Sequence, residues 1–151
     1  MPALINTDSA ATLRRVLLAL LTFGLSGTAV ELLLLGHYED SWQIVPLFFL
    51  GCGLVVIAAH LMVGGSGSVR LLQVVMSMLI VAGLIGVVLH YRGNLEFQLE
   101  MDATQSRWQL FAKAIRAKTP PALAPGVLVQ FGLLGWLYAY RHPALRRRDS
   151  V

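Results

Sequence analysis

Residues 71–91 read LLQVVMSMLIVAGLIGVVLHY, twenty-one positions without an Asp, Glu, Lys or Arg. At 1.5 Å per residue, a helix of about 20 residues crosses a hydrocarbon core of ~30 Å. Lipid offers no partner to backbone N–H and C=O groups, so a spanning segment must be a helix or part of a closed barrel. The run lacks strand-type alternation and carries Gly and Ala inside it, which favours the helix. Windows 16–38, 41–69 and 119–140 share this character. Together the four windows hold 95 of the 151 residues and one of the 20 charged side chains, Glu31; the other 19 crowd into the remaining 56 positions.

Only 13% of the residues are charged and 56% are hydrophobic, at a mean hydropathy of +0.68. A soluble domain carries about a quarter charged residues. The segregation of charge excludes an ordinary soluble globule and a disordered chain, and the solitary Cys52 excludes a disulfide scaffold. The expected fold is an all-α integral membrane protein. It is an antiparallel four-transmembrane-helix bundle with spans near 15–37, 44–63, 70–91 and 122–140, forming one domain over residues 15–140. Residues 1–14 then make a cytoplasmic N-terminal segment and residues 141–151 a basic cytoplasmic tail. Glu39-Asp40-Ser41 breaks the first pair of spans. Residues 64–68 (GGSGS) read as a flexible link, and Pro120-Pro121 with Pro125-Gly126 lead into the fourth span. The first span has no small-residue cleavage site and reads as a retained anchor.

The outer loop, residues 92–121, has two parts. Leu95 to Asp102 alternates apolar and polar strictly, which predicts an extended segment along the rim of the bundle. Ser106 and Gln109 have the spacing of a capping box. Beyond them Trp108, Phe111, Ala112 and Ile115 share one face of a short interfacial amphipathic helix, with Arg107, Lys113, Arg116 and Lys118 on the others. Orientation follows Lys and Arg in short loops. Arg14, Arg15, Arg70, Arg141, Arg146, Arg147 and Arg148 lie on one side; Arg92, Arg107, Lys113, Arg116 and Lys118 lie on the other, diluted by Glu96, Glu100 and Asp102. Both termini are therefore expected to be cytoplasmic. In general make-up the chain is similar to small bacterial inner-membrane proteins, a likeness of type that assigns no residue a role. The net charge of +4 is accounted for by topology and lipid headgroups, and nothing resembles a nucleic-acid-binding module.

Glu31 lies within the first span, where a carboxylate is costly and normally faces a bundle interior or a wet cavity. With Tyr38 on the same face it is a candidate proton or cation site. His37 and His90 each precede a Tyr where an outward-going span ends, so they fall at similar depth; with Glu39 and Asp40 they are candidate metal ligands, or axial ligands of a haem. No short ligand spacing accompanies them, and the sequence requires no cofactor. His60, near the inner end of the second span, is expected to bond to backbone. Gln73 and Gln130 are candidates for cross-helix hydrogen bonds. Gly24 with Thr28, Gly83 with Gly86, and Gly132 with Gly135 place small side chains on shared faces, the usual device for close approach of helices in lipid.

No nucleotide-binding, zinc-protease, nucleophile-elbow or dithiol motif is present. Three functional expectations follow. The first is a non-enzymatic accessory or scaffold subunit of a membrane complex, contacting lipid and other membrane subunits or copies of itself. The second is an ion- or proton-coupled transporter or channel component using Glu31. The third is a metal- or haem-binding redox protein using His37 and His90.

Overall fold

The structure, a computed structural model, describes residues 7–117 and 124–146, and no strand occurs among them. Six helices follow in order: α1 (Thr7–Leu34), α2 (Ser41–Val63), α3 (Gly65–Met101), α4 (Arg107–Ile115), α5 (Ala124–Ala139) and α6 (Pro143–Arg146). Among them α1, α2 and α3 are long and apolar enough to cross a membrane. This is the build of an all-α membrane protein. α5 is equally apolar but has 16 residues, about 24 Å at 1.5 Å per residue.

Local chemistry sets the helix limits. α1 ends in a Schellman arrangement: the His37 N–H donates to Leu32 O at 2.9 Å and the Gly36 N–H to Leu33 O at 3.1 Å. Gly36 takes φ 67°, where a Cβ would be strained. The first span therefore stops at Leu34, and His37 lies in the turn beyond it. Asp40 caps α2, its carboxylate accepting from the Trp42 N–H at 3.1 Å while Gln43 reaches back to the Glu39 N–H at 2.9 Å. Ser106 and Gln109 form the capping box of α4.

Two expectations are corrected. Residues 64–68 are not a flexible link: α3 begins at Gly65, and Gly64 alone, with φ 65°, joins it to α2. Residues 95–102 are not extended either, because α3 runs on to Met101 and reaches about 55 Å over its 37 residues. Leu, Glu, Gln and Met are strong helix formers, and adding a residue to an existing helix costs far less than starting one. Burial along this extension follows helical spacing: Tyr91, Asn94, Leu95 and Gln98 are half-buried while Glu96, Phe97, Glu100 and Met101 are exposed. The half-buried face receives α4, which folds back over it. Asn94 Nδ2 donates to Ala114 O at 3.1 Å, Gln105 Nε2 donates to Gln98 O at 3.0 Å, and Ala114 is fully buried.

The apolar helices neighbour one another as α1–α2–α3–α5, with α5 returning to α1. The seam of α3 is Val69, Leu72, Met76, Leu79 and Gly83, alternating steps of three and four, the 3.5-residue repeat of knobs-into-holes packing. Against it lie Leu18, Leu21 and Leu25 of α1, Leu50 and Ile57 of α2, and Leu128 and Phe131 of α5. The outward faces remain apolar: Phe23, Phe48 and Met62 are exposed by 78%, 61% and 86%. In water that surface would be unfavourable; against lipid tails it is not.

Candidate functional site

One end of the molecule gathers the polar side chains that the helices bury. His60 is in the last turn of α2, and Ser68, in the first turn of α3, lies as far after Gly64 as His60 lies before it. Because a single residue joins the helices, the two side chains face each other, with His60 Nδ1 2.7 Å from Ser68 Oγ. On the other ring edge His60 Nε2 is 2.6 Å from the hydroxyl of Tyr138, at the end of α5. His60 and Tyr138 are only 8% and 5% exposed. His142, in the turn after α5, completes a cluster of three rings, its centroid 5.6 Å from that of His60 and 5.3 Å from that of Tyr138.

The hydroxyls decide the protons. Ser68 Oγ donates to Gly64 O at 2.9 Å or to Gly65 O at 3.0 Å, so it can only accept from the ring. His60 is then protonated at Nδ1, and its bare Nε2 accepts from Tyr138 O–H. Every group is satisfied by one chain running Tyr138 to His60 to Ser68 to the backbone. This polarity is the reverse of that in a serine nucleophile, where the imidazole accepts from the hydroxyl. The chain clamps α2, α3 and α5 together. His60 thus bonds to side chains rather than to backbone.

Arg14 of α1 closes the same end, its guanidinium donating to Arg141 O at 3.2 Å. Arg141 holds φ 49°, a left-handed conformation rare for a residue with a side chain, and its guanidinium lies 5.3 Å from the Tyr140 ring centroid. Burial, then His60, then Arg14 hold the His142 imidazole below its ordinary pKa.

The sequence-selected residues distribute as follows. Glu31 is exposed on the outer face of α1, without a side-chain partner among the described residues, and Tyr38 is exposed in the following turn. His37 and His90 are brought near each other: burial first, and His90 second, hold the His37 imidazole below its ordinary value. His90 Nδ1 donates to Gly86 O at 3.0 Å. Asp40 serves as the cap of α2, and exposed Glu39 precedes it. Among the described residues no three His, Cys, Asp or Glu side chains converge on a metal-sized site.

Gly24 faces the ring of Phe131. A Cβ on Gly83 would stand 2.7 Å from Pro125 O, and one on Gly86 2.7 Å from Pro125 Cβ. On α5, Gly132 faces Ile80 and the carbonyl of Met76, Gly135 faces the Met76 side chain, and on α1 Thr28 is half-buried. Gln130 is exposed; the side-chain bond between α3 and α5 runs instead from Trp136 Nε1 to Ser77 Oγ at 3.0 Å. Cys52 is half-buried and free.

At the opposite end the α3–α4 hairpin carries a second assembly. Trp108 stacks on Phe111 with centroids 5.5 Å apart, and Phe111 meets Tyr91 edge-on at 6.2 Å. Trp108 is 73% exposed, and Phe97, Met101 and Ile115 are exposed beside charged residues. Asp102 closes the turn between the helices; hydrogen bonds from the Thr104 hydroxyl and N–H hold its carboxyl below the ordinary carboxylate value.

The signal for the His60 cluster lay in the equal spacing of His60 and Ser68 about Gly64; nothing local points to Tyr138, 78 positions on. The chain matches no protein-family model, no curated protein and no solved structure.

Proposed function

We propose that the protein is a non-enzymatic accessory or scaffold subunit of a membrane complex, docking through the α3–α4 hairpin. The observation that carries this reading is the exposed apolar set Phe97, Met101, Trp108, Phe111 and Ile115 on a segment between the third and fourth apolar windows. Small Ala114 is the residue α4 buries against α3, while Trp108 stands open and Phe111, though it meets Tyr91, keeps an exposed side, an arrangement suited to a contact surface. In this reading α5 completes an antiparallel four-span bundle. The meeting of Arg14, His60, Ser68 and Tyr138 at one end supports it, and modest thinning of the bilayer accommodates a helix of about 24 Å. In this reading the bundle lies in the plasma (inner) membrane of a bacterium with both termini in the cytoplasm, an orientation that the richer Arg count on that end supports.

Purification in mild detergent with a photo-crosslinking side chain at Phe97 tests the proposal. Cross-linking to a single partner chain, lost when Trp108 and Phe111 are both changed to Ser, supports docking. Labelling of lipid alone sinks it. Glu31→Gln should leave the function intact, whereas bulky residues at Gly83 or Gly132 should abolish it. The ion-coupled reading through Glu31 draws no support from a carboxylate on the outer face of α1. The metal reading rests on the nearness of His37 and His90, and metal analysis with a search for a Soret band on the same sample tests it.

A further inference from the structure

An open groove of about 500 Å³ runs between α1 and α2, lined by Arg15, Leu18, Ala19, Thr22, Phe23 and Leu61. It lies beside the end that holds His60, since Leu61 follows it in α2. From Arg15 to Phe23 the wall rises about 12 Å at 1.5 Å per residue, most of one ~15 Å hydrocarbon leaflet. The lining is apolar apart from two side chains. The Thr22 hydroxyl is already bonded to Leu18 O at 2.8 Å, so its proton is not offered to an occupant of the groove. Arg15 is the single charge. Unlike Arg14, which donates to Arg141 O, exposed Arg15 has no hydrogen-bond or carboxylate partner among the described residues. Small Ala19 opens the floor, and Phe23 stands out as a lip at the far end.

We propose that this groove holds one phospholipid with an anionic headgroup. Its phosphate would sit on Arg15 at the membrane boundary and one acyl chain would lie along Leu18, Ala19, Phe23 and Leu61. The charge pattern selects this occupant. A guanidinium without a partner among the described residues, at the top of an apolar trough, matches a phosphate above a hydrocarbon chain, and planar guanidinium takes phosphate in a two-point contact. No carboxylate lines the groove, and Arg14, Arg70 and Arg141 at the same end raise the local positive field.

Native mass spectrometry of the detergent-purified protein, equilibrated with equal amounts of phosphatidylglycerol and phosphatidylcholine of the same chains, tests this. The wild type should retain one phosphatidylglycerol with a preference of about tenfold, because the choline cation of phosphatidylcholine offsets the charge of its phosphate beside Arg15, whereas phosphatidylglycerol keeps a net negative charge there. Arg15→Gln should bring the ratio near one, with Arg92→Gln, exposed at the opposite end of the molecule, as a control that preserves it. Ala19→Phe should fill the trough and remove retained lipid of both kinds. Each substituted residue is exposed, so circular dichroism should be unchanged. Equal retention by the wild type, a preference that survives Arg15→Gln, or a lipid-free dimer would overturn the proposal.

Discussion

Removing the hydroxyl of Tyr138 leaves Nε2 of His60 buried without a donor. An unsatisfied buried polar group costs about 1–3 kcal/mol, so Tyr138→Phe should lower stability on that scale in a detergent unfolding titration. His60→Leu should cost a similar amount. The double variant should recover part of the loss, because replacing both partners by apolar groups removes the orphan. Additive losses would show that the bond contributes nothing of its own. His142 supplies a pH dependence. Its folded pKa lies below the ordinary value of 6.5, so the unfolded chain binds the proton more readily. Stability is therefore fully present above about pH 6.5 and is lost as pH falls through the folded value. Melting curves between pH 8 and 5 should show the decline, and His142→Phe should reduce it, leaving the share that His37, also held below its ordinary value, contributes.

At the scale of helices, the glycines divide sharply by what surrounds them. A side chain at Gly83 would meet the Pro125 carbonyl and Val129, forcing α3 and α5 apart, whereas Gly51 has nothing within 4 Å. Gly83→Leu should cost at least the ~1–3 kcal/mol typical of overpacking, and Gly51→Ala should gain up to ~1 kcal/mol from helix propensity. Paired thermal melts in one detergent decide it; equal effects would refute the close seam. Glycine spacing is visible in a sequence, but the atoms filling each position are not. The extension of α3 shows the same limit. Leu95 to Asp102 reads as period two because every second residue is apolar, yet propagation from a formed helix and the cover supplied by α4 make it helical. The partner that settles the ambiguity begins five positions further on, at Arg107.

For the whole molecule, segregation of charge made the apolar helices legible before any coordinates, since a chain that leaves Glu31 as the one charge among 95 residues has few other solvents open to it. The polar clamp was not legible, because Tyr138 meets His60 only once α5 has packed beside α3. Alkaline carbonate should leave the protein in the membrane pellet. Protease added to sealed vesicles should cut within residues 102–106 from one side only and leave α1, α2 and the apolar part of α3 intact. Release by carbonate, or cleavage in the middle of those helices, would contradict the architecture. The single-residue junction at Gly64 also bears on biogenesis. Two long greasy rods hinged by one glycine have no slack for one to wait in water while the other enters the bilayer. Their relative direction is therefore fixed at the junction itself, whatever charges the tail carries.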